Sequence, residues 1–234
     1  MKSLKIAIVA ALTKEISYYL DEITDLEASQ QAGVKIWRGH YQGHELAIAQ
    51  CGIGKVNAAL ATTLLAMDGP DLIINNGSAG AVAKELAVGD LVLAQEAAYH
   101  DVDMTAFDQA YGQIEGLPAR FQADSNYLSR FEQCLADQGE TVNRGLVVSG
   151  DSFVASPAKV EEIAQHLPGA LCTEMEGAAI AHVAYQFQVP FLIARAMSDT
   201  AEQDAAIDFD QFISEVGPKS ARLTLDFIGQ YLKD

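Results

Sequence analysis

Residues 5–12 read Lys-Ile-Ala-Ile-Val-Ala-Ala-Leu, and Thr13-Lys14-Glu15 follows at once. Every position after Lys5 in this run is apolar, so neither face of a strand built from it meets water. A half-solvated strand would alternate apolar and polar residues instead. The run is too short for a membrane-spanning helix, which takes about 20 residues. Its β-branched residues suit a strand. The small pair Ala10-Ala11 resembles the end of a secretion signal, but nothing else in the chain looks secreted, and a buried first strand is the preferred reading.

Outward from this strand the apolar runs alternate in type. Lys14 to Glu22 reads as a helix. Val34 to Tyr41 and Glu45 to Gln50 flank Gln42-Gly43, a hairpin turn. Lys55 to Met67 is rich in Ala and Leu, reads as a helix and stops at Asp68-Gly69-Pro70. Asp71 to Asn75, Asp90 to Ala98, Thr141 to Val148, Ala170 to Thr173 and Phe191 to Met197 read as strands. Between them come helices at Asp124 to Gln138, after Ser156-Pro157 with Ser156 as N-cap, and at Glu176 to Phe187. A terminal helix covers Asp208 to Tyr231. His100 to Pro118 has little periodicity and reads as a long functional loop. Strands that are apolar on both faces and alternate with helices imply an α/β chain. The expected architecture is one domain over residues 1–234, with a mixed, mostly parallel central β-sheet flanked by helices on both faces in three layers.

Composition narrows what such a domain can do. Hydrophobic residues make up 50 % of the chain and charged residues 20 %, which fits a folded core and not a disordered chain. The formal net charge of −17 opposes binding to nucleic acid and to anionic membrane surfaces. Three scattered cysteines, Cys51, Cys134 and Cys172, point to a reducing compartment and no disulfide framework. The cytoplasm is the expected location.

Six polar segments stand where apolar strands stop, the place where parallel sheets carry their sites. They are Thr13 to Glu15, Cys51 to Lys55, Asn75 to Gly80, Ser149 to Phe153, Thr173 to Gly177 and Ser198 to Thr200. Each has a plain structural reading too. Glu15 in a first helical turn suits the helix dipole. Gly52-x-Gly54-Lys55 lacks the Walker spacing and reads as a tight turn whose amides can hold a ligand oxygen. Ser198-Asp199 can be a helix cap. Ser149-Gly150-Asp151 lacks the serine-hydrolase elbow. His40 and His44 have metal-like spacing, but a turn lies between them and both are expected on the surface. His100-Asp101-x-Asp103 carries metal-ligand chemistry, yet no metal and no cofactor is assigned. Glu174-Met175-Glu176 is harder to explain structurally. Two carboxylates lie between a strand and an apolar helix, and helical spacing puts one near the core. A buried carboxylate must be paired or hydrogen-bonded. A helix cap satisfies it, and so does a ligand with two vicinal hydroxyls.

Taken in order, these segments resemble the 5′-methylthioadenosine/S-adenosylhomocysteine nucleosidases of the nucleoside phosphorylase superfamily. The likeness runs from about Lys5 to the last helix. It is carried by Cys51 to Val56, Asn75 to Gly80, Val88 to Asp90, Tyr99 to Asp101, Thr105 to Phe107, Ser149 to Phe153, Glu174 to Glu176, Arg195 to Asp199 and Phe209 to Phe212. The resemblance implies hydrolysis of the N-glycosidic bond of a 5′-thio-substituted adenosine, without cofactor or metal. It makes Glu15 the base for the attacking water and Asp199 the acid at purine N7. Glu176 would bind the ribose 2′-hydroxyl, with Met175 against the sugar. Phe153 would stack on adenine, Val154 would read its edge through the backbone, and Ser78 and Gly80 would form the base-side loop. Ile53, Phe107 and Phe209 would line the 5′-alkylthio end. Met104, Arg195 and Ser198 complete the matched substrate-binding positions. Phe107 lies in a loop that reaches a neighbouring subunit in this family, which implies a homodimer.

The chemistry suits that assignment. Adenine leaves poorly as an anion, so an acid near N7 lowers the barrier. Carboxylates stabilise the cationic sugar, and an acid and a base of one chemical type must be tuned apart by their surroundings. Asp199 is expected to hold or share a proton when substrate binds. Three departures from the family pattern stand out. The stretch before the base reads Ala10-Ala11-Leu12-Thr13-Lys14 where relatives show Gly-Ala-Met, Cys51 replaces a common Ser, and Glu115 stands where Pro is frequent. In this family the positions of Leu12 and Glu115 border the 5′ end, so the resemblance leaves the choice between methylthioadenosine and S-adenosylhomocysteine open. Three rival functions remain. A phosphorolytic transferase would need cations around phosphate, and Leu12 to Ser17 holds Lys14 but no Arg. A nucleosidase for another substrate, such as 6-amino-6-deoxyfutalosine, would share these residues. A non-catalytic nucleoside-binding protein would not need Glu15 and Asp199 together.

Overall fold

The computed structural model describes residues 3–199 and 205–232, and their side chains except those of 205–211, 214 and 215. Strand β1 (Lys5–Ala10) is buried from Ile6 onward and pairs in parallel with β4 (His44–Gln50) and β5 (Leu72–Ala81). Its side chains feed two cores in alternation. Ala7 and Val9 join one, and Ile6, Ile8 and Ala10 join the other. Helices α2 (Lys55–Ala66) and α5 (Gly177–Phe187) cover the first core with Ala58, Leu65, Ala178 and Ile180. Helices α1 (Thr13–Glu22), α3 (Ser125–Asp137) and α6 (Ala205–Tyr231) cover the second with Tyr19, Phe131 and Phe227. The three expected layers follow directly from apolar residues on both faces of the strand.

The remaining strands are β2 (Thr24–Gln31), β3 (Val34–Tyr41), β6 (Leu91–Tyr99), β7 (Phe121–Gln122), β8 (Val142–Ser149), β9 (Ala170–Glu174) and β10 (Phe191–Asp199). Helix α4 spans Pro157–His166, and the Ser156 hydroxyl caps it by accepting from the Lys159 amide at 3.3 Å. The sheet runs β10-β6-β8-β9-β5-β1-β4-β3-β2, and β10 pairs back onto β5. That last pairing closes β5, β10, β6, β8 and β9 into a ring. Closure brings the far ends of β5, β9 and β10 to one place.

The boundaries differ from expectation where tertiary pairing overrides local composition. Strand β5 does not stop at Asn75 but continues through Gly77, Ser78 and Gly80, because β9 and β10 supply partners there. Strand β10 likewise runs on through Ser198 and Asp199. Strand β2, with the sequence Thr-Asp-Leu-Glu-Ala-Ser-Gln-Gln, is exposed throughout and carries no periodic signal. It is a polar edge strand, and its register shift near Thr24 blunts the edge. The Gln42-Gly43 turn has φ of 51° and 91°, as a tight hairpin requires. His44 is not a surface residue: it is buried, and its Nδ1 accepts from the Leu4 amide at 3.2 Å, because the hairpin folds back beneath residue 4. The 100–118 segment is a loop as expected, with one short 3-10 turn at Thr105–Phe107.

Candidate active site

A cleft of about 290 Å³ opens where β1, β5, β9 and β10 end. Register places Gly80 beside both Thr173 and Asp199. A Cβ on Gly80 would lie 3.0 Å from Asp199 Oδ1, so glycine lets that carboxyl rest against the β5 backbone. Ser198 Oγ lies 2.9 Å from Asp199 Oδ2 and donates to it. Asp199 is buried yet lines the cleft.

Glu15 faces the cleft from the first turn of α1. Its Oε2 accepts from the amides of Ala11 at 3.0 Å and Leu12 at 2.9 Å, and its Oε1 from Ser78 at 3.2 Å. Burial pushes its pKa up, while Arg195 and these amides pull it back. The result is a carboxylate that holds a proton more readily than a solvated one, yet stays fixed in place. Gly77 makes room for it, since a Cβ there would collide with Arg195 Nη1 and Glu15 Oε1.

The Glu174 to Glu176 segment divides its labour. Glu174 also lines the cleft, but both its oxygens are occupied by protein partners. Its Oε1 accepts from Ser149 Oγ and from the Gly177 amide, and its Oε2 from Arg195 Nη2 and the Glu176 amide. Arg195 Nη2 also donates to Asn75 Oδ1. Burial works against the Arg195 charge, but Glu174, Glu176 and Glu15 outweigh it and hold the guanidinium protonated. Glu176 Oε1 accepts from the Gly54 amide at 2.9 Å, while its Oε2 is 4.0 Å from Arg195. Burial first, and then the Glu174 charge, push the Glu176 pKa up to about 7. The turn amide of Gly54 thus holds a protein carboxylate in place of a ligand oxygen.

The other expected site residues fall in four groups. Ile53, Ser78, Gly80, Phe153, Val154, Met175, Glu176 and Ser198 line the same cleft as Glu15 and Asp199. Ile53 and Phe153 are half-exposed aliphatic and aromatic surfaces at its mouth, whereas Val154 is buried. Arg195 is not among the lining residues and instead bonds Glu174. Met104 and Phe107 are outside the cleft of their own chain, and Phe107 is 70 % exposed. The Phe209 side chain lies outside the described residues. Asn75 and Ser149, which fall in strand-end segments marked in the sequence but carry no assigned role there, support Arg195 and Glu174. Asn76 is another, donating to the Tyr19 hydroxyl at 2.6 Å. The available signal was a pair of asparagines at the end of an apolar run. In the His100-Asp101-x-Asp103 segment, Asp101 takes Lys55 as partner, and His100 is buried against Gly150.

A larger groove of about 510 Å³ crosses β3 and β4. Its charges lie at the surface, and some pair with one another, as Arg38 does with Asp68 at 2.6 Å. The smaller cleft has the buried carboxyls, and chemistry belongs there.

Comparison with known proteins agrees with this geometry. The family model described as Phosphorylase superfamily matches residues 5–229. A solved S-adenosylhomocysteine nucleosidase from Streptococcus pyogenes, in complex with 5-methylthiotubericidin, is 42 % identical. The match covers 100 % of this chain and 99 % of that one, with a TM-score of 0.96. A Streptococcus pneumoniae 5′-methylthioadenosine/S-adenosylhomocysteine nucleosidase bound to a transition-state inhibitor is also 42 % identical, over 98 % and 100 % of the two chains, with a TM-score of 0.93. A Helicobacter pylori relative, an aspartate-to-asparagine variant with 5′-methylthioadenosine in its active site, is 30 % identical over 97 % and 99 %, with a TM-score of 0.93. On these matches and this site, the chain belongs to the 5′-methylthioadenosine/S-adenosylhomocysteine nucleosidase family of the phosphorylase superfamily.

Proposed function

We propose that this protein hydrolyses the N-glycosidic bond of 5′-methylthioadenosine and S-adenosylhomocysteine. The products are adenine and 5-methylthioribose or S-ribosylhomocysteine. Glu15 takes a proton from water as its oxygen attacks the anomeric carbon. Asp199 gives a proton to purine N7 as the bond to adenine breaks. Glu176 accepts from the ribose hydroxyl and, with its neighbours, stabilises positive charge on the sugar. Phe153 stacks on the base, the Val154 backbone reads its edge, and Ser78 and Gly80 border it. Met175 packs on the sugar, and Ile53 meets the thioether end with Phe209.

One observation carries this reading most directly. Glu15, Glu176 and Asp199 line one cleft, and no Lys or Arg is among its described lining residues. Phosphorolysis needs cations around the attacking phosphate, and Arg195 is already committed to Glu174 and Asn75. Incubation with 5′-methylthioadenosine in phosphate-free buffer should therefore yield free adenine and 5-methylthioribose, resolved by chromatography. A strict need for phosphate, with sugar 1-phosphate formed, would assign a phosphorylase reaction instead.

The exposed Phe107 supports a homodimer in which its loop closes the neighbour's cleft. Sedimentation velocity should then give a dimer, and a monomer at micromolar concentration would refute it. Three buried free cysteines support a reducing, cytoplasmic location. Among the described residues no helix is long and apolar enough to cross a membrane.

A further inference from the structure

Lys55 is the first residue of α2, where a positive charge opposes the helix dipole. Its ammonium is not in the cleft, and no step of the proposed hydrolysis uses it. It has instead a dense set of partners. Lys55 Nζ donates to Asp101 Oδ1 at 2.7 Å and Oδ2 at 2.6 Å, and lies 3.8 Å from Asp151 Oδ2. The Lys55 amide donates to Asp151 Oδ1 at 2.7 Å, and the Asp151 amide donates to Asp101 Oδ2 at 2.8 Å. The ammonium also stands over the Tyr99 ring, 5.3 Å from its centre. The three side chains close a cycle between three separate loops.

Each loop carries part of the site. Gly54, one residue before Lys55, donates to Glu176 from the ribose side. Asp151 leads directly into Ser152, Phe153 and Val154, which form the base side. Asp101 begins the segment that carries Met104 and Phe107. Gly54 has a φ of 99°, and a Cβ there would meet Asp151 Oδ1 at 3.0 Å, so the loops touch at a glycine. The Lys55 side chain is 20 % exposed and that of Asp101 29 %. Pairs this exposed add little to global stability. Charge-assisted bonds made at both oxygens of one carboxylate still fix geometry well.

We propose that Lys55, acting through Asp101 and Asp151, is a positioning residue that sets the spacing between the ribose wall and the purine wall of the cleft. The proposal rests on the nucleosidase reading above. It predicts an effect on substrate capture, because both walls must meet one ligand. The test compares wild type, K55M, K55R and D101N with 5′-methylthioadenosine, alongside melting curves and hydrogen exchange. K55M should raise KM about tenfold and change kcat less than about threefold. Its melting temperature should stay within about 2 °C of wild type. K55R, whose guanidinium can still grip both oxygens of Asp101, should recover most of the loss. D101N, which keeps the shape but loses the charge, should move KM in the same direction as K55M. Peptides covering 100–108 and 150–155 should exchange faster in K55M and not in K55R. Unchanged KM and exchange in K55M would overturn the proposal. So would parallel losses of melting temperature and kcat without a KM shift, which mark a merely structural tie. Wild-type cleavage reports separately on the nucleosidase reading. Exchange needs no substrate, so an inert wild type with loosened loops in K55M would sink that reading and leave the tie standing.

Discussion

Asp199→Asn should abolish measurable turnover of 5′-methylthioadenosine while the protein stays folded. A general acid in the transition state contributes about 10²–10⁴-fold, and this variant removes the only proton Asp199 can deliver. The expected fall in kcat is therefore about 10³-fold. The fold should tolerate the change because an amide has the same shape and can keep the contact to Ser198. The Asn oxygen can still accept from Ser198 Oγ, which lies 2.9 Å from the present Oδ2. Gly80 still leaves the space against β5. Steady-state kinetics with a melting curve checks both halves. Turnover within tenfold of wild type would remove Asp199 from the acid role, and collapse of the fold would make it structural.

Glu176→Gln should make the protein more stable at alkaline pH and less able to bind substrate. Glu176 has its pKa pushed up to about 7 from the ordinary 4.5, by burial and then by the charge of Glu174. A carboxyl with a raised folded pKa binds its proton more tightly when folded. Its stabilising contribution is thus fully present below about 4.5 and is lost as pH rises through about 7. At pH 8 the wild type carries a buried charge that the unfolded chain would hydrate freely. Gln stays neutral at every pH, and its Oε1 can still accept from the Gly54 amide. E176Q should melt on the order of 5–10 °C above wild type at pH 8, and the gap should close as pH falls toward 5. Calorimetry at the two pH values decides it, since an equal gap at both would mean that ionisation of Glu176 is not responsible. The same variant should raise KM, because an amide accepts a ribose hydroxyl less strongly than a carboxylate. Stability given up at a binding site in this way is the usual cost of function.

How much of this was legible in the sequence depends on the range of the interaction involved. Apolar residues on both faces of residues 6–10 announced a doubly covered strand, and β1 is one. Ser156-Pro157 announced a helix start by local hydrogen bonding alone, as Gln42-Gly43 announced a turn. Glu15, Glu176 and Asp199 stand where apolar runs stop, which marked their segments in the sequence, and the fold brings all three to one cleft; their roles were drawn from the family resemblance. Strand β2 was not legible, since a polar edge strand has no pattern of its own and exists because β3 offers it hydrogen bonds. The extensions of β5 through Gly80 and of β10 through Asp199 were hidden for the same reason. Glycine and serine have weak strand preference, and only the closed ring supplies their partners.

Glu174-Met175-Glu176 shows the division most clearly. The sequence by itself determined that one of two carboxylates would lie near a core and need company, because the energy of a buried charge follows from residue type and apolar surroundings. How each carboxylate is partnered was decided by tertiary structure alone. Both line the cleft, but Arg195, Ser149 and the start of α5 occupy both oxygens of Glu174, whereas Oε2 of Glu176 lies 4.0 Å from Arg195. Arg195 and Ser149 come from β10 and β8, 21 and 25 residues away in the chain. Lys55, Asp101 and Asp151 follow the same rule, since their separation in sequence conceals a contact that only the folding of three loops creates.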